Sequence, residues 1–208
     1  MRRVSDWFEA GAKKTLGDAV RSIESKSAAE VVVTVRRRSA DYFHAELAVG
    51  SLFGAAALIV YAYAPVEFDD DVAPLLILLA YCAGAVLTRA LPPLKRLFTR
   101  DVSRRRAVSD AARTAFLDQG IDRTRARTGM LVYLSLLERR AELVCDRGVP
   151  HADIPEWKAR TAELQALLEE GAAPAAFAAK LVALGDVLGK ALPVTADDVN
   201  ELPDEVVS

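Results

Sequence analysis

Two short segments hold most of the residues in this chain that could do chemistry. Asp122, Arg123, Arg125 and Arg127 precede an apolar run that begins at Gly129, and Asp146, His151 and Asp153 follow a second run that ends at Cys145. Carboxylates are the hard oxygen ligands that calcium or magnesium requires, so Asp122, Asp146 and Asp153 are the candidate metal ligands. Arginine presents a planar donor fork that suits phosphate or carboxylate, which makes Arg123, Arg125 and Arg127 the candidate anion ligands. The alternative use of the same residues is a solvated loop rim with Asp153 as a helix cap.

No group in this set reads as a nucleophile. Cys145 is followed by Asp146, Arg147 and Gly148, which brings an arginine too close for a loop that cradles phosphate. His44 and His151 have no second ligand at metal-binding spacing. Cys82 sits in an apolar run and Cys145 in a strand-like one, so both read as packing residues and no disulfide is expected. The expectation is therefore no catalytic residue and no cofactor, with a divalent cation such as calcium left open by the aspartates.

For the two loops to act together, the strands must deliver them to one place. Met130 to Leu137 is apolar on both faces, Glu138-Arg139-Arg140 reads as a charged turn, and Ala141 to Cys145 returns. An antiparallel pairing of these runs puts both loops at the end opposite the turn. "EVVVTVR", Glu30 to Arg36, is a third strand with β-branched residues on both faces, as in a sheet covered on each side.

Helices must supply the cover. Phe8, Ala12, Leu16, Ala19, Val20 and Ile23 recur at helical spacing after Ser5, a potential N-cap. Val108, Ala111, Ala112, Ala115 and Phe116 share one face of a helix that ends near Gly120. Asp153 and Glu156 form a capping-box-like pair around Pro155 ahead of a helix to Gly171, and another helix starts near Pro174 with Phe177, Leu181, Leu184 and Leu188 as its stripe. The tail from Pro193 has five acids and no base, and is expected to be exposed and mostly flexible.

Between the first strand and the other two lies a segment of another kind. The 208-residue chain is 52% hydrophobic although 27% of it is charged, so its apolar residues are concentrated in blocks. Leu47 to Val66 carries no charge and is long enough to cross a bilayer core. Val72 to Leu91 is a second such run once Arg89 extends its head to the interface, and the acidic stretch 67–71 separates the two.

The two runs read as a transmembrane helical hairpin. Arg36, Arg37 and Arg38 flank one end, and Lys95, Arg96, Arg104, Arg105 and Arg106 the other, positions from which they would meet lipid headgroups. The positive-inside rule then places both termini and the soluble part in the cytoplasm, with the acidic loop outside the inner membrane. Gly50 and Gly54, with Ala80, Gly84 and Thr88, form small-residue stripes that suit close packing within the hairpin or a homodimer. A net charge of -2 and the lack of an aromatic platform argue against nucleic acid as a partner. No cleaved secretory signal is expected at the N-terminus.

The expected order is a first domain part over 1–44, the transmembrane hairpin over 45–96 with spans 47–66 and 72–91, a second domain part over 97–192, and the tail 193–208. The pattern "AEVVVTV", a helix ending "AFLDQGI", a basic loop, "TGMLVYLSLLERRAELVCDRGV" and two closing helices resembles the TPM domain family of bacterial membrane or secreted proteins. Gly129, the Glu138-Arg139-Arg140 turn and Gly148 carry most of that resemblance. It implies an α/β (α+β) fold, a small central sheet flanked by helices, here interrupted by the membrane hairpin.

Relatives in that family resemble calcium-binding modules, acid phosphatases and assembly or accessory factors. An Asp-Asn-Gly sequence often leads into their hairpin where this chain has Arg127, Thr128 and Gly129, which removes two hard-cation ligands. The resulting expectation is a membrane-tethered, non-catalytic module that binds a membrane or cytoplasmic protein. The alternative is a divalent-cation-dependent phosphatase using Asp146, Asp153 and Asp122.

Overall fold

The structure is a computed structural model and describes residues 4–65, 71–151, 154–194, 200–202 and 206–207. It is α+β, with seven α-helices and a three-stranded mixed sheet among the described residues. The chain divides into two compact units, one formed by 1–39 with 105–208 and the other by 40–104. The inserted unit is thus wider than the expected 45–96.

The first unit is built on strands β1 (Glu30–Arg36), β2 (Gly129–Ser135) and β3 (Arg140–Cys145), in the order β1-β2-β3. β1 and β2 are parallel, with Thr34 opposite Tyr133, and β2 and β3 are antiparallel, with Tyr133 opposite Glu142. A parallel pair needs a long crossover connection. Here the second unit and α5 (Asp101–Asp118) lie in that crossover.

Side chains alternate across a strand, so Val31, Val33, Val35, Met130, Val132 and Leu134 fall on one face of the sheet and Val32, Leu131 and Tyr133 on the other. The first face packs on α1 (Ala10–Glu24), α6 (Trp157–Glu170) and α7 (Pro174–Ala191) through Leu16, Ile23, Leu164, Phe177, Leu181 and Leu188. Val108, Ala112 and Phe116 of α5 cover the second face. This two-sided cover explains why β1 and β2 carry continuous apolar runs.

Local differences from expectation have physical causes. Val4–Phe8 is a short 3-10 turn, so α1 starts at Ala10 behind Glu9, and the Ser5 hydroxyl bonds Asp6 Oδ1 instead of capping the helix. Gly120 and Gly171 take left-handed φ values of 67° and 76° where helices end, as C-cap glycines do. α6 starts at Trp157 with Glu156 as N-cap and no side-chain cap bond, and the expected partner Asp153 lies outside the described residues.

The tail departs most from expectation. The Val207 N–H donates to Val33 O (3.0 Å), and Val207 O accepts from the Val35 N–H (2.8 Å), a parallel bridge to Thr34 on the outer edge of β1. The Leu202 N–H donates to Glu30 Oε2 (3.2 Å), and Val206 and Leu202 pack against the two cores. These residues are therefore docked and not free in solvent. Composition misses this because the bonds come from the backbone and the packing from only three aliphatic side chains.

The second unit pairs α2 (Phe43–Tyr63) with α3 (Ala73–Ala90), followed by α4 (Pro92–Leu97). α2 starts four residues before the expected span. α3 begins with Pro74 in its first turn and breaks before Pro92 and Pro93, which disfavour helix in the residue ahead of them. Of the expected acidic connection, only Asp71 is among the described residues.

The two helices are antiparallel, because Val49 faces Gly84, Gly50 faces Tyr81 and Gly54 faces Ile77. A Cβ added at Gly84 would lie 2.9 Å from Phe53 Cγ, and one at Gly50 3.0 Å from the Tyr81 carbonyl oxygen. Gly50, Gly54 and Gly84 are thus used in the packing of this helix pair. Both helices are long and apolar enough to cross a membrane.

Candidate functional site

The β2–β3 pairing brings both chemically interesting loops to the end of the sheet opposite the Glu138 turn. The Gly148 N–H donates to Arg127 O (2.8 Å), and the Arg127 guanidinium lies 3.5 Å from Asp146 Oδ2. Arg127 also donates to the carbonyl of Asp122. So Asp122, Arg127 and Asp146 do meet, but through an arginine that takes the place a cation would hold between two oxygen groups.

Glycines make this closeness possible. A Cβ on Gly148 would come within 2.4 Å of Ala126 O, and one on Gly129 within 2.2 Å of Ile121 O. Arg127 itself takes φ 57°, a left-handed conformation that is unfavourable for a residue with a Cβ. The loop is held there by Arg127 N–H to Thr124 O (3.1 Å) and Thr128 N–H to Thr124 Oγ1 (3.1 Å).

The Asp146 carboxylate is enclosed, with a side chain 12% exposed. Its Oδ1 accepts from the Arg147 N–H (2.7 Å). Its Oδ2 is buried without a hydrogen bond, and Arg127 at 3.5 Å gives it charge compensation only. Asp122 is half-buried and enters the cluster through its backbone oxygen. Asp153 lies outside the described residues.

The remaining candidates are spread along the rim. Arg123 and Arg125 are exposed, and the Arg125 N–H faces the Glu201 carboxylate at 3.2 Å. His151 Nδ1 lies 3.1 Å from Val149 O, and its ring sits 5.7 Å from that of Trp157, a packing role. Burial pushes the Cys145 thiol up to about 12, which keeps it in the unreactive protonated form at neutral pH. Among the described residues no group of three or more His, Cys, Asp or Glu side chains is arranged to hold a metal ion.

The basic flanks show two kinds of behaviour. Arg36, Arg37, Arg38, Arg105 and Arg106 are exposed, and Arg37 rests over the Phe8 ring at 4.9 Å. Lys95, a candidate headgroup contact, is buried and paired with Glu46 Oε1 at 2.7 Å inside the second unit. Arg96 is half-buried, and Arg104 is half-buried with Asp101 at 3.2 Å.

Sequence reasoning missed a polar cluster at the opposite end of the sheet. Glu138 is buried, with Oε1 accepting the Ser39 N–H (3.0 Å) and Oε2 the Ser135 hydroxyl. The Ser39 hydroxyl contacts Ser135 Oγ (2.7 Å) and the Tyr133 hydroxyl (3.3 Å). This network ties the hairpin turn to the chain that leaves β1. Ser135 on a core-facing strand position was the available signal, because a buried hydroxyl needs a partner.

No protein-family model and no curated protein matches this chain. A solved structure does: the NMR structure of the BA42 protein from the psychrophilic bacterium Bizionia argentinensis aligns with 100% of this chain and 99% of its own, at a TM-score of 0.58 and 17% identity. At that identity the likeness is one of fold.

Proposed function

We propose that this chain is a membrane-tethered, non-catalytic interaction or assembly module of the TPM type. The observation that carries the tether is the exposure of α2 and α3: only 22% and 17% of their most apolar windows is buried. Leu52, Ile59, Val60, Leu75, Leu79 and Val86 all point outward. A buried core helix would hide such side chains, and an apolar surface of this extent is stable when lipid covers it. Helices of 21 and 18 residues reach roughly 31 and 27 Å at 1.5 Å per residue, close to the bilayer core.

In this reading the sheet-bearing unit and both termini lie on the cytoplasmic side of the inner membrane, which the exposed arginines flanking the pair support. The non-catalytic part of the reading is supported by the rim, where Arg127 neutralises Asp146 and the Cys145 thiol is held protonated. Protease treatment of intact cells and of inverted vesicles tests the topology: cleavage within 105–194 should occur only in the inverted vesicles. Affinity capture of the tagged chain from membrane extract should recover one reproducible protein partner, and cleavage from outside or phosphate-ester turnover would sink the reading.

A second reading, a divalent-cation-dependent phosphatase, has one observation in its favour, the buried Asp146 Oδ2 without a hydrogen bond. Calcium or magnesium displacing Arg127 would satisfy it. Calorimetric titration with calcium, magnesium and manganese separates the two readings, since the first expects no heat of binding at the rim.

A further inference from the structure

We propose that the outer edge of β1 is a strand-docking site for an extended partner segment, and that the chain's own C-terminal tail is its resident, displaceable occupant. The inference stands on the sheet edge and goes beyond the accessory-module reading.

β1 pairs with β2 on one side only, so every second N–H and C=O of β1 faces away from the sheet. Val31 N–H is taken by Glu24 Oε1 at 3.0 Å, while Val33 O and Val35 N–H are taken by Val207. Val207 bridges Thr34 in parallel, and the Leu202 N–H donates to the carboxylate of Glu30 at the start of β1. The tail's start is fixed nearby, because the Ala28 N–H donates to Leu192 O (3.0 Å) at the end of α7. Glu201 adds its carboxylate to the Arg125 N–H.

Among the described tail residues the Leu202 N–H and the Val207 N–H and C=O bond to β1 residues, whereas β1 and β2 pair over seven residues of each strand, so the tail is the part of the sheet that can open locally while the fold stays intact. What the edge recognises is visible in its resident: an extended segment with two adjacent aliphatic residues, Val206 and Val207, that pack toward opposite faces of the sheet. Acidic residues precede them, and Glu201 shows where one is accepted. A partner segment of that chemistry adds to β1 by main-chain pairing and uses the two valine positions for specificity.

The test uses the full chain in detergent and a fluorescent peptide of residues Asn200–Ser208, read by anisotropy. Val207→Pro removes the tail's donor to Val33 without touching the sheet. The variant should bind the peptide at least tenfold more tightly than the natural chain, whose tethered tail competes in cis, and a scrambled peptide should not bind. In the natural chain the Val35 amide should exchange with solvent at least 100-fold faster than that of Val132 in the central strand.

Equal protection of Val35 and Val132 would make the tail a permanent strand and overturn the proposal, as would peptide binding that ignores sequence or an edge in V207P that binds nothing. Dimers of the natural chain that the peptide dissociates would overturn it in favour of tails exchanged between two copies.

Discussion

Arg127 holds Asp146 at 3.5 Å from a backbone conformation, φ 57°, that its own side chain makes unfavourable. Two effects therefore oppose each other at one residue. The ion pair compensates a buried carboxylate oxygen, while the left-handed backbone costs roughly 1 kcal/mol for a residue with a Cβ.

Replacing Arg127 separates these effects. Arg127→Ala loses the pair, keeps the Cβ and should lower stability by about 1–3 kcal/mol, because Asp146 Oδ2 is left without compensation. Arg127→Gly loses the same pair but relaxes the backbone, and should be about 1 kcal/mol more stable than the alanine variant. Thermal unfolding of both in the same detergent checks the order, and alanine at least as stable as glycine would show that the loop is not strained.

The Glu46–Lys95 pair is buried, with side chains 16% and 8% exposed. Lys95→Ala deprives the Glu46 carboxylate of its ammonium and should cost about 3–5 kcal/mol. The double variant E46L/K95M replaces the pair by apolar groups and should recover most of that loss. Detergent-resistance melts of the four chains give the coupling, and additive losses would show that the pair is energetically idle.

Cys145 should resist alkylation. In a Cys82→Ser background, iodoacetamide at pH 8 should modify the folded chain at least about 100-fold more slowly than the urea-unfolded chain, since only thiolate reacts. The folded thiol's pKa is raised, so its contribution to stability is complete below the unfolded value of 9.0 and is lost as pH rises toward about 12. Cys145→Ala should flatten that alkaline decline.

Two surface carboxylates contribute to stability on the acid side. The Lys180 ammonium hydrogen-bonded to Glu163, and the Lys26 ammonium hydrogen-bonded to Asp186, hold both carboxyls below their ordinary range. Their lowered values mean the contribution is present above the unfolded carboxylate range near ~4 and is lost as pH falls through the folded values. Glu163→Gln should remove part of the pH dependence of melting below about pH 5 at low salt. An unchanged acid profile would show that the Lys180 pairing is without effect.

The strands were the most legible part of the fold, because β1 and β2 are covered on both faces and their apolar runs have little alternative. The meeting of the two loops followed from the turn at Glu138. What was illegible is the use made of individual charges. Lys95 and Glu46 lie 49 residues apart, and nothing local signals that they pair. Glu138 read as a charged turn residue, yet its carboxylate is buried because Ser39 and Ser135 supply donors. The tail read as solvent-exposed from its acids, whereas Leu202, Val206, Val207 and the main chain determine where its described residues lie.

The distances along the chain that these contacts span set the order in which the protein can be finished. Ser39 and Glu138 are 99 residues apart, and Glu30 waits for Leu202, 172 residues later. At roughly 5–20 residues per second, β1 emerges from the ribosome several seconds before β2 exists to pair with it. During that interval the apolar helices of 43–90 are made and must find their own environment. The Val31-Val32-Val33 segment is thus made long before either of its neighbours exists, and Val207, which bonds its outer edge, is made later than all three strands.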